Sequence, residues 1–142
     1  MCGSVWRVRG VSAQESGQIF TPSDLQWKPG RVPGLDSAQI IGDQFKPGPY
    51  VAMLRFPIKF ITQPHSHSEA RQCTIISGTL YIGWGDQFDA TKLKALPPGS
   101  FYTEPANVPH FLGTKDEPVI VQVTGTGPIA TNFVVPPGAT KQ

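Results

Sequence analysis

The residues that could do chemistry here are three histidines. His65 and His67 stand one residue apart in Pro64-His65-Ser66-His67-Ser68-Glu69, and His110 closes Pro105-Ala106-Asn107-Val108-Pro109-His110. In an extended run successive side chains leave opposite faces, so His65 and His67 share one face of a strand. Neutral imidazoles that converge suit a borderline divalent cation such as zinc, iron, nickel or copper. A close pair plus a distant third histidine lets a β-barrel assemble a facial ligand set.

The elements that must position these side chains read as strands. Gln39 to Gly42, Tyr50 to Phe56, Gln72 to Ser77, Thr79 to Trp84, Ser100 to Glu104, Val119 to Thr124 and Ile129 to Val135 are short apolar or alternating runs. Ile58 to Gln63 also alternates before the histidine stretch. Turn signals such as Lys46-Pro47-Gly48-Pro49 separate them, and the chain carries 15 Gly and 15 Pro. Helical structure is expected only as short turns. Thr21 before Pro22 can cap one, and Asp89 to Leu96 is either briefly helical or a strand. Many short strands with Gly/Pro turns imply an all-β sandwich or barrel.

A chain of 142 residues is one domain with room for a real core. We expect a tail or dimerisation arm over residues 1–20, a single barrel over 21–142, and a frayed end at 136–142. The net charge is +2, with no Lys/Arg cluster, so nucleic acid is not an expected partner. Two cysteines, Cys2 and Cys73, make no disulfide framework, which points to a reducing cytoplasm. The N-terminus has no apolar signal region, and no apolar run is long enough to span a bilayer.

Together the two histidine stretches resemble the motifs of the cupin superfamily, a double-stranded β-helix or jelly roll. The first such motif opens with Gly, carries His-x-His and an acidic residue, and ends on Gly; this chain supplies His65, His67 and Gly78. The second runs from Gly through Pro-x-Gly to His and Asn; this chain supplies Gly99, Pro105 and His110, with Asn107 and Thr114 at the Gly and Asn positions. The resemblance covers about Gln39 to Val135. Lys59 stands where the first motif opens with Gly, and Arg71 where the acidic ligand sits. A lone His-x-His would be an exposed strand without a role, but all three histidines fall at the family's ligand positions.

The resemblance implies a metal site of His65, His67 and His110, holding Fe, Zn, Ni or Mn, without an acidic ligand at position 71. A guanidinium cannot ligate and stays charged. Arg71 therefore turns away or clamps an anionic substrate. Glu69, on the same face if the strand is regular, is expected to neutralise Arg71 or to swing in as a ligand; Gln72 points to the opposite face. Tyr102 is a third candidate for a catalytic role. It shares a strand face with Glu104, and solvent is the favoured side for that pair. Cys73 is expected to be a buried, inert thiol. Phe101, Phe111, Phe133, Trp84 and Ile75-Ile76 are expected in the core.

The implied function is a metal-dependent reaction on a small anionic organic molecule, with dioxygenase-like chemistry leading. A lyase, isomerase or hydrolase is the alternative, as is a non-catalytic binding or sensing module. Small cupins commonly pair, so a homodimer is expected.

Overall fold

The computed structural model describes residues 16–135. The expected frayed end at 136–142 lies outside the described residues, as does the expected tail up to residue 15; residues 16–20 are irregular and exposed. Among the described residues, eleven strands form two antiparallel sheets. They are β1 (Lys28–Pro29), β2 (Asp36–Ile41), β3 (Gly48–Phe56), β4 (His65–His67), β5 (Arg71–Ser77), β6 (Leu80–Trp84), β7 (Lys94–Leu96), β8 (Phe101–Glu104), β9 (His110–Gly113), β10 (Val119–Gly127) and β11 (Thr131–Phe133). One sheet has the order β1-β2-β3-β10-β5-β8 and the other β11-β4-β9-β6-β7. Among the described residues, helical structure is limited to 3-10 turns at Pro22–Asp24 and Ala90–Lys92. This is an all-β jelly roll.

Alternation decides what each strand buries. In β3, Tyr50, Ala52, Leu54 and Phe56 point inward, and in β10 Val119, Val121 and Val123 do the same. The outward set on β10 is Ile120, Gln122 and Thr124. These inward rows meet Cys73, Ile75, Leu80, Ile82, Tyr102 and Leu112 in one core. Burial of this apolar surface supplies the main driving force for folding.

Two expectations are corrected and one open choice is resolved. Ile58 to Gln63 does not form a strand: Lys59 takes a left-handed φ of 53°, and only an isolated bridge joins Ile61 to Gly113. Phe101, Ile76 and Trp84 are exposed rather than core, at 61%, 45% and 41% of their surface. The period of two explains the first two, since Ile76 follows the buried Ile75 and Phe101 pairs with Thr74 on the outer face. Trp84 ends its strand. Asp89 to Leu96 resolves into both options, a helical turn at Ala90–Lys92 followed by β7, with the Asp89 side chain accepting from Thr91 N.

Two turns matter for the site. Asn107 adopts φ 62°, the left-handed conformation that Asn tolerates, and its N–H donates to the His67 carbonyl at 2.8 Å. That bond ties the loop before His110 to the strand carrying the other two histidines. Thr114 is buried, and its hydroxyl donates to the Pro57 carbonyl while accepting from Phe60 N, which pins the far end of β9.

Candidate metal centre

The site lies between the two sheets. From one sheet, β4 and β9 bring His65 directly opposite His110, and β11 places Thr131 opposite His67. Ring centroids are 4.4 Å apart for His65 and His110, 5.1 Å for His65 and His67, and 5.3 Å for His67 and His110. One donor nitrogen from each histidine lies within 4.8 Å of those of the other two. The three histidines are brought together, and all are buried.

Each ring is oriented from behind. His65 Nδ1 lies 2.7 Å from the Gln63 carbonyl, His67 Nδ1 3.0 Å from Thr131 Oγ1, and His110 Nδ1 3.4 Å from the Val108 carbonyl. A carbonyl only accepts, so His65 Nδ1 carries the proton and its Nε2 keeps the lone pair. Histidine ligands are typically held by such an outer partner. Burial, with His110 nearby, lowers the His65 pKa to about 4. Burial and then the charge of Arg71 lower His67 to about 3. Both rings are neutral at pH 7, as metal ligands must be.

The other sheet contributes an ion pair. Arg71 on β5 and Glu104 on β8 are cross-strand partners, both buried, with Arg71 Nε donating to Glu104 Oε2 at 2.8 Å. The expected solvent placement of Tyr102 and Glu104 is therefore reversed: the face of β8 they share is the inner one, and Glu104 is 1% exposed. Tyr102 donates its hydroxyl to Glu104 Oε1 at 3.2 Å, and Cys73 Sγ approaches the same oxygen at 3.8 Å. Burial alone would raise the Glu104 carboxyl, but Arg71 and then His110 hold it well below the usual carboxylate range. Burial, reinforced by Glu104, raises both Tyr102 and Cys73, so the buried thiol stays protonated and unreactive.

Glu69 is not brought to this cluster. The strand breaks after His67, and Glu69 sits exposed in the bend that leads to β5. Glu104, not Glu69, neutralises Arg71. A buried arginine needs an acidic partner, which is the signal that could have found Glu104. It did not say which carboxylate would supply one.

Above the histidines opens a cavity of about 350 Å³. Its floor includes His65, His67 and Arg71, its walls Leu54, Phe56, Leu112 and Ile129, and its rim Lys28 and Arg31. No Asp or Glu among the described residues lines it. The Arg31 guanidinium stacks 3.6 Å from the centroid of Phe45, which also lines the cavity.

The donor set fits a metal. His67 Nε2 and His110 Nε2 are buried without a hydrogen-bond partner, a costly arrangement unless something else takes their lone pairs. Three imidazoles converging at one point are what a borderline divalent ion selects.

No family model and no curated protein matches the chain by sequence. Among solved structures it is similar to the polyketide cyclase RemF from Streptomyces resistomycificus, at 16% identity over 87% of this chain and 89% of that one, with TM-score 0.72. A sugar phosphate isomerase from the cupin superfamily, from Silicibacter pomeroyi, matches at 16% identity, 82% and 81% coverage, and TM-score 0.61. Salicylate 1,2-dioxygenase from Pseudaminobacter salicylatoxidans matches at 13% identity and TM-score 0.59, over 72% of this chain but 31% of that one.

Proposed function

We propose that this chain, which has the cupin fold, is a metal-dependent enzyme, with His65, His67 and His110 holding a divalent ion and a small anionic organic molecule bound in the cavity above. The observation that carries the reading is the convergence of three imidazoles, two of them presenting buried and unpartnered Nε2 atoms. Held by His65, His67 and His110, such an ion would supply a Lewis acid for substrate oxygens, and iron would add oxygen chemistry.

The chain's own residues supply binding and orientation. Lys28 and Arg31 favour an anion at the rim, and Leu54, Phe56, Leu112 and Ile129 exclude water around its apolar part. Arg71 fixes the floor by holding Glu104, and Tyr102 keeps its proton and directs it to Glu104. Dioxygenase-like chemistry is the leading version. A lyase or isomerase working without oxygen is the second reading, favoured by the likeness to proteins described as a cyclase and an isomerase. Residence in the cytoplasm and pairing into homodimers belong to the same proposal.

Metal analysis of protein purified without added metal, combined with oxygen uptake on a panel of small keto acids and diketones, tests it. We expect one metal per chain, and oxygen consumption that disappears in His110→Ala. Metal-dependent turnover without oxygen uptake would select the second reading. A cavity that binds anions but takes up no metal would leave a sensing module instead.

A further inference from the structure

Glu104 stands in an unusual relation to the histidines. Its Oε2 lies 3.4 Å from His67 Nε2 and its Oε1 lies 3.3 Å from His110 Nε2, so the carboxylate gives one oxygen to each ring. These separations are longer than the roughly 2.7–3.2 Å of an N–H···O hydrogen bond, and neither nitrogen has a hydrogen-bond partner. They do match the edge of a coordination tetrahedron. Metal–donor bonds of about 2.0–2.2 Å place neighbouring donors about 3.3–3.6 Å apart.

We propose that Glu104 is a fourth metal donor and that Arg71 is the positioning residue that aims its carboxylate at the ion. This rests on the three-histidine reading above and adds to it. Arg71 Nε approaches Oε2 at 2.8 Å and Nη2 approaches Oε1 at 3.4 Å, while the Tyr102 hydroxyl holds Oε1 from another side. The carboxylate is thus fixed at both oxygens before any ion arrives. Its negative charge offsets part of the ion's, which makes a cation tolerable beside a buried guanidinium. Arg71 and Glu104 are cross-strand neighbours on β5 and β8, so the rigid ladder between those strands sets the distance.

The test is titration of the metal-free full chain with Co(II), read by visible absorption and by chelator competition. Wild type should bind one Co(II) per chain. Glu104→Gln should weaken binding about 10- to 100-fold or more and shift the visible bands, because a charged donor is lost. Since that variant leaves Arg71 buried without its partner, the double variant Arg71→Met with Glu104→Gln, which buries no uncompensated charge, should show the same weakening and band shift. Arg71→Met alone keeps the carboxylate but not its aim; it should still take up one Co(II) per chain, with bands displaced from those of wild type. Arg71→Lys should recover part of the wild-type spectrum, whereas bands identical to wild type in Arg71→Met would overturn the positioning role of Arg71. Wild-type affinity and identical spectra in the double variant, with binding abolished in His65→Ala, would overturn the role of Glu104 and leave the three-histidine site standing. A wild type that takes up no Co(II) would overturn both.

Discussion

Arg71 on β5 and Glu104 on β8 face each other across the strand ladder and meet as a buried ion pair, Nε to Oε2 at 2.8 Å, against the ring nitrogens of His67 and His110. Burial works against the charge on Arg71, but Glu104 more than offsets it and raises its pKa. Neither partner can lose its charge cheaply while the other remains.

Removing one partner should therefore be expensive. In metal-free protein, Arg71→Met strands a carboxylate and is expected to cost about 3–5 kcal/mol in urea unfolding. A cost below about 1 kcal/mol, the range of exposed pairs, would contradict the burial described here.

The histidines should make metal-free protein sensitive to acid. Burial holds folded His65 at about 4 and His67 at about 3, whereas an unfolded histidine protonates near 6.5. Between these values the unfolded chain binds more protons, so stability falls as pH falls from about 6.5 towards 4. Each ring can contribute up to about 1.4 kcal/mol per pH unit. The depressed carboxyl of Glu104 acts with the same sign at lower pH. Urea midpoints measured across this window check the prediction, and a flat profile would contradict it.

Metal should stabilise what it binds. At about 100 times its dissociation constant, Zn(II) is expected to add roughly 2.7 kcal/mol, seen as a rise in Tm of several degrees that a chelator reverses. His110→Ala should abolish the shift. An equal shift in that variant would place the ion elsewhere.

Lys59 offers a test remote from the chemistry. Its φ of 53° is left-handed, a conformation that costs a side-chain-bearing residue about 1–2 kcal/mol, while glycine adopts it freely at a cost of about 0.5–1 kcal/mol in chain entropy. Lys59→Gly should stabilise by up to about 1 kcal/mol in thermal unfolding. A clear loss would show that the lysine side chain contributes packing not accounted for by its exposed position.

Much of this protein is written in local pattern. The His65-x-His67 spacing, the alternation of β3 and β10, and an asparagine able to turn left-handed before His110 each depend on neighbours in the chain. Local pattern thus pointed to an all-β sandwich or barrel and to the three histidines, and the resemblance of the two motifs to cupins pointed to the jelly roll. Glu104 was not legible in that way. Phe101-Tyr102-Thr103-Glu104 carries an aromatic residue on each face, so alternation could not say whether Tyr102 and Glu104 look inward or Phe101 does. That choice was made by the pairing of β8 with β5, 33 residues away in the chain, where Arg71 needed a buried countercharge. Glu69, much nearer in sequence, was carried off by the break after β4. Which carboxylate meets a buried cation depends on strand register and sheet packing, and those are properties of the assembled fold.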